Sequence, residues 1–199
     1  GFVMITTTWL IIRLSGKLSV SRYGLNSSNI SLFLAFIFMW IPQGAAEEIM
    51  FRGYLIPRVE KRTGKIFAII FSSLLFSIFH SLNPGFSVLA LINLTLIAVF
   101  FALVYEYTGS IWMTCAAHSV WNFCQGNLYG LEVSGNSASA SVLVSEYADG
   151  ASSLWTGGNF GPEGSIAVTI VSLVMIALIS VLMYRKKTTE GKRSAAPIE

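Results

Sequence analysis

Two stretches of this chain, Phe86 to Tyr105 and Ser165 to Tyr184, each run for twenty residues without one charged side chain. About 20 apolar residues at ~1.5 Å rise cover the ~30 Å hydrocarbon core of a bilayer, so each can cross a membrane as a helix. Lipid offers no partner to a bare amide, and a helix is the simplest element that satisfies its own backbone there. Composition agrees, with 54% hydrophobic and only 12% charged residues among 199. A soluble domain carries roughly 25% charged residues, so a water-soluble globule does not fit. Disorder and disulfide scaffolds do not fit either, since the segments are apolar and the only cysteines are Cys115 and Cys124, read here as packing thiols of one buried helix.

Three further apolar segments are interrupted by polar groups: Ile30 to about Ile56, Ile66 to about Leu82, and Ser110 to about Leu128. A shorter piece, Phe2 to Ile12, reads as a partial span or an interfacial helix. The fold class implied is all-α, a polytopic transmembrane helix bundle. The net charge of +3 comes from cationic clusters that flank apolar segments, a pattern of membrane anchoring rather than of nucleic-acid binding. No glycine-rich phosphate loop is present, so nucleotide binding has no support.

Lys and Arg accumulate in short cytoplasmic loops, which gives the segments a sidedness. The loop Pro57 to Lys65 and the tail after Tyr184, with Arg185, Lys186, Lys187, Lys192 and Arg193, are expected to be cytoplasmic. The stretch Leu131 to Gly164 has no Lys or Arg but carries Glu132, Glu146, Asp149 and Glu163, and is expected on the other side as an exposed, mobile, Ser- and Gly-rich loop. Arg13, Lys17 and Arg22 break the pattern, falling outside if the Ile30 segment crosses once.

Ionisable groups inside spans cost at least ~2.5 to 3.5 kcal/mol each at mid-bilayer unless partnered or hydrated, so they mark where function should be sought. Glu48 and Arg52 are spaced i, i+4 and can neutralise each other on one helix face. Glu47 is rotated ~100° away and is expected to find no partner in its own helix. His80 closes the third segment, one turn after Phe76, and His118 and Asn122 stack i, i+4 in an otherwise uncharged segment. Asn93, in mid-span, reads as hydrogen-bonding glue between helices. Any one of these could be structural. Together they bring an acid, both histidines of the chain and an amide donor into the most apolar segments, which is the composition of an active site.

At these residues the chain resembles the CAAX protease and bacteriocin-processing (CPBP, or Abi) family of intramembrane endopeptidases. The motifs Glu-Glu-x-x-x-Arg, Phe-x-x-x-His and His-x-x-x-Asn occur in order as Glu47 to Arg52, Phe76 to His80 and His118 to Asn122. The Gly-Pro-Glu-Gly turn before the last span also resembles bacterial members. The resemblance implies that Glu47 and His80 activate a water, that His118 and Asn122 stabilise the oxyanion, and that Glu48 and Arg52 hold the Glu47 helix in register. It leaves metal open. Glu47, His80 and His118 would be the ligands of a divalent ion such as zinc, but the chain lacks the His-Glu-x-x-His chelating pair, and the reading leans to a water activated without obligatory metal. About eight helices are usual in the family, which implies that helices are missing before Phe2.

The organisation expected is a partial span with a basic loop over 1–29, a catalytic core over 30–130, a non-cytoplasmic loop over 131–164, a last transmembrane helix over 165–184 and a basic cytoplasmic tail over 185–199. The function expected is a multi-pass cell-membrane endopeptidase acting on membrane-associated or C-terminal peptides, in peptide maturation or bacteriocin self-immunity. Its partners would be a peptide substrate and the bilayer. A non-catalytic membrane regulator or immunity partner that keeps the fold is the alternative, and a proton-relay transporter comes third. Counting residues from the basic loop puts Glu47 and His118 in the cytoplasmic half, so the cavity is expected to open there, with 131–164 capping the other side.

Overall fold

The apolar runs become helices, and the computed structural model describes them over residues 1–194. Helix α1 (Phe2–Leu14) leads into strand β1 (Leu18–Tyr23), followed by α2 (Ile30–Glu48), a wide π-helical turn (Ile49–Leu55) and α3 (Ile56–Thr63). Then come α4 (Lys65–Phe79), α5 (Val88–Thr108), α6 (Ile111–Phe123) with a second π turn (Cys124–Leu128), β2 (Leu143–Tyr147), the short α7 (Ser153–Thr156) and α8 (Ile166–Ser194). Among the described residues three helical runs are long and apolar enough to cross a membrane: 30–63, 88–108 and 166–189, of 34, 21 and 24 residues. The end of the basic tail, 195–199, lies outside the described residues.

The bundle is built for lipid. Large apolar side chains such as Phe38, Ile66, Val88 and Trp112 stand outward, while Ser72, Ser73, Ser77 and Asn93 are buried. Small inward residues let helices approach closely, and the hydroxyls find carbonyls across the interface. Ser72 donates to the Phe51 carbonyl at 3.2 Å and Ser77 to that of Leu91 at 2.8 Å. Asn93 acts as the glue expected of it, with its Nδ2 on the Glu163 and Ser165 carbonyls, both at 2.8 Å, and its Oδ1 accepting from Thr169 at 2.6 Å. Cys115 and Cys124 are buried free thiols, the second in the π turn that continues α6.

Three boundaries differ from the sequence reading. The expected basic loop Pro57 to Lys65 is largely helical, because Pro57 falls in the first turn of α3, where a missing N–H costs nothing, and the helix stops only at Gly64, whose φ is +85°. The N-terminal piece is a packed member of the bundle, burying Met4, Ile5, Trp9 and Ile12. The third difference concerns 131–164, which is no exposed loop. Its β2 pairs antiparallel with β1, Leu18 opposite Tyr147 and Tyr23 opposite Leu143, and Leu131, Val133, Ala140 and Phe160 are buried. Its glycines serve tight turns, and Leu131, Val133, Ala140 and Phe160 point inward singly between them, so composition concealed a folded cap.

The charge pattern sorts by ends. Lys65 pairs with Glu106, and Lys186 donates to the Tyr107 carbonyl at 3.1 Å, so the two principal basic clusters share one end of the bundle. The exception is structural as well, since β1, within the Arg13 to Arg22 stretch, is paired with the acidic cap.

Candidate active site

Helices α2 and α6 touch at Gly44, where an added Cβ would stand 2.6 Å from the Ser119 Oγ and 2.9 Å from its backbone N. Only glycine permits that approach. One turn later it sets Glu47 and Glu48 beside His118. Glu48 points inward with no exposure, and its Oε1 accepts from Arg52 Nη1 at 3.0 Å and from His118 Nδ1 at 2.9 Å. Arg52 is buried too, donating its Nη2 to the Ala98 carbonyl at 2.9 Å, with its guanidinium 4.9 Å from the Phe76 ring centre. The expected Glu48–Arg52 pair is therefore present, and it holds His118 as well as the helix. Arg52 lies in the π turn, a widening common at functional sites.

Glu47 faces a cavity of about 270 Å³ lined by Gln43, His80, His118, Asn122 and Glu163 among others. Its Oε2 is buried without a hydrogen-bond partner, 3.7 Å from His118 Nε2. The expectation that Glu47 has no partner in its own helix is corrected by Gln43, which donates its Nε2 to Glu47 Oε1 at 2.7 Å. Gln43, an uncharged amide one turn before Glu47, carries no charge that would announce the pairing. Its Oε1 in turn accepts from Asn122 Nδ2 at 2.8 Å. Asn122, Gln43, Glu47, His118, Glu48 and Arg52 thus form one connected polar chain across α2 and α6.

His80 caps α4 and donates Nδ1–H to the Phe76 carbonyl at 2.9 Å, since a carbonyl only accepts. In the neutral ring this leaves Nε2 as a lone-pair acceptor. A second opening, lined by Glu47, Met50, Phe51, Phe79, His80 and Asn83, adjoins the cavity between the π turn and the end of α4. Met50 and Phe79 are exposed on the outer face there.

The cavity's other wall comes from the cap, through Val133, Ser134, Asn136 and Glu163. Glu163 was counted among the acids of an exposed loop, yet it is 3% exposed, and burial raises its carboxyl above the ordinary carboxylate range. Its one sequence signal was the Gly-Pro-Glu-Gly turn. No residue from Arg58 to Lys65 reaches the cavity, so the expected opening toward the basic loop is not met. The depth count started at Pro57, whereas the helix runs on to Thr63, which moves the basic end farther from Glu47.

Glu47, His80 and His118 do not fit a metal ion as a set. Among the described residues no three His, Cys, Asp or Glu side chains converge as ligands.

Residues 29–124 match the family model described as type II CAAX prenyl endopeptidase Rce1-like. Over this stretch the chain is similar to that family. The Rce1-like segment opens at Asn29, the cap of α2, and closes at Cys124, so it contains Glu47, His80, His118 and Asn122 and leaves Glu163 outside. It is the family that the three motifs resemble, and it implies peptide-bond hydrolysis at a membrane. No curated protein and no solved structure matches the chain significantly.

Proposed function

We propose that this protein is an intramembrane endopeptidase in which Glu47 activates a water for attack on a peptide carbonyl. The observation that carries the reading is the Glu47 Oε2, which is unpartnered at the cavity and faces His118 Nε2. Gln43 holds the other oxygen and so fixes the carboxylate's plane. A water on Oε2, with the His80 lone pair as a second acceptor, gives a proton to Glu47 as its oxygen bonds to the carbonyl carbon. His118 in its imidazolium form, with Nδ1–H on Glu48, turns Nε2–H to the developing oxyanion, and Asn122 adds its second N–H. The tetrahedral intermediate then collapses, the C–N bond breaks, and Glu47 returns the proton to the leaving amine. Glu48 and Arg52 act through His118 as positioning residues.

The adjoining opening beside Met50 and Phe79 gives a membrane-embedded peptide a lateral route to Glu47. The substrate on this reading is a membrane-associated peptide. The protein sits in the cell membrane with its α8 end cytoplasmic, supported by the two basic clusters that share one end.

Cleavage of a reporter peptide by the protein in liposomes tests the mechanism. Glu47→Gln is expected to lose about 10²- to 10⁴-fold in rate, the scale of a general base, with no change in thermal stability. Turnover equal to wild type would remove Glu47 from the chemistry, and a wild type without turnover would leave the non-catalytic regulator.

A further inference from the structure

We propose that the cap wall of the cavity, centred on Glu163, is a subsite for a cationic, many-donor group of the substrate, the ammonium or guanidinium of a basic side chain. The inference rests on the peptidase reading for its substrate, but the evidence for it lies in atoms outside the Rce1-like segment.

Glu163 sits in a short turn, Pro162–Gly164, that the chain packs tightly. An added Cβ on the preceding Gly161, at φ +88°, would lie 2.4 Å from the Glu132 carbonyl oxygen. One carboxylate oxygen is held firmly. Oε2 accepts from the Ser134 backbone N–H at 2.5 Å, the Ser134 hydroxyl at 3.0 Å and Gln125 Nε2 at 3.1 Å. To deliver both donors, Ser134 adopts a φ of +47°, a left-handed conformation that a serine rarely takes. Three donors on one oxygen favour the ionised carboxyl. The other oxygen, Oε1, makes no hydrogen bond among the described residues, and the side chain lines the cavity while 97% of the residue's surface is covered.

The neighbours repeat the pattern. Asn83 and Asn136 line the same wall, and each spends its Nδ2 on the Ser134 carbonyl, at 2.9 and 3.2 Å. Their Oδ1 atoms are left as acceptors. His80, with Nδ1–H on Phe76, adds the Nε2 lone pair when neutral. Glu163 Oε1, the two amide oxygens and His80 Nε2 are thus uncommitted acceptors on this side of the cavity, against one remaining N–H on each amide, and among the described residues no Lys or Arg lines the cavity to offset the carboxylate. A peptide's terminal carboxylate would be repelled here by the Glu163 carboxylate. An ammonium brings three donors and a guanidinium five, each with the opposite charge.

The probes are a fluorescent peptide with one central lysine and its norleucine counterpart, which has a side chain of similar length but no charge. Binding is measured in nanodiscs with Glu47→Gln as the parent, so that turnover does not intervene. The lysine peptide is expected to bind at least about tenfold more tightly than the norleucine peptide, the scale of one charge-assisted hydrogen bond. Adding Glu163→Gln should bring the ratio to about one while leaving norleucine binding within about twofold, which also reports that the cap is folded. Equal affinities in the parent overturn the subsite whatever Glu163→Gln does, and so does an equal loss of both peptides in that variant. Cleavage by wild type without a lysine preference would sink the subsite and spare the peptidase. Lysine-selective binding without cleavage would do the reverse.

Discussion

The two walls of the cavity handle their polar groups in opposite ways. On the α2–α6 wall, donors and acceptors are linked in sequence: Asn122 to Gln43, Gln43 to Glu47, and His118 and Arg52 both to Glu48. On the cap wall most donors are spent inward on Glu163 Oε2 and the Ser134 carbonyl, leaving a carboxylate oxygen and two amide oxygens as uncommitted acceptors. The first wall lies within the family-matched segment and the second outside it. A linked network fixes geometry, which a reaction needs whatever its substrate. An acceptor-rich surface selects charge, which matters only for a particular substrate. The division suggests that chemistry and selectivity reside in different parts of the chain.

The largest effect should come from breaking the linked wall at its anchor. Arg52→Leu leaves Glu48 buried at zero exposure without its cation and strips the Ala98 carbonyl of a donor. Losing one partner of a buried ion pair costs about 3 to 5 kcal/mol, so the variant in detergent should unfold at a clearly lower temperature than wild type. Glu163→Gln, which keeps an acceptor oxygen for Ser134, should shift the transition far less. Equal destabilisation of the two variants would erase the contrast between the walls.

The α2–α6 wall was legible in sequence because its members sit inside apolar segments, where each polar residue is conspicuous and i, i+4 spacing reports a shared face. Glu48 with Arg52, and His118 with Asn122, could be paired on that ground alone. Gln43 was missed because an uncharged amide near a helix-interior proline carries no such alarm. The cap was misread for a different reason. Val133, Ala140 and Phe160 are buried one at a time among Ser and Gly, without a helical or strand period to announce them, and their burial depends on β1 and on helix ends distant in sequence. Glu163 looked like one of four surface acids, and only tertiary packing distinguishes it.

A smaller effect sharpens the picture of the linked wall. Gln43→Leu removes the amide that ties Asn122 to Glu47 but no ionisable group. The carboxylate keeps its charge and loses its fixed plane. Reporter cleavage should fall by about tenfold in kcat, as expected for one lost orienting hydrogen bond, with KM nearly unchanged. A rise in KM at constant kcat would instead place Gln43 in substrate binding and join it to the selective wall.

The subtlest expectation is a pH dependence confined to the cap. Burial holds Glu163 above the ordinary carboxylate range, against the opposing pull of Ser134, Gln125 and His80. The other titratable groups acting on this site are Glu132 and Tyr147, whose phenol burial pushes up so that it stays neutral through the physiological range. An acid with a raised pKa is ionised only above that value, so lysine selectivity is complete at high pH and is lost as pH falls through it. The ratio of norleucine to lysine dissociation constants should therefore decline as pH falls, beginning above the ~4.3 of an exposed glutamate. Norleucine binding should stay flat, and in Glu163→Gln the ratio should stay near one throughout. A lysine preference that stays constant until the ~4.3 range of an exposed glutamate would mean that the charge selecting lysine is not the buried carboxylate of Glu163.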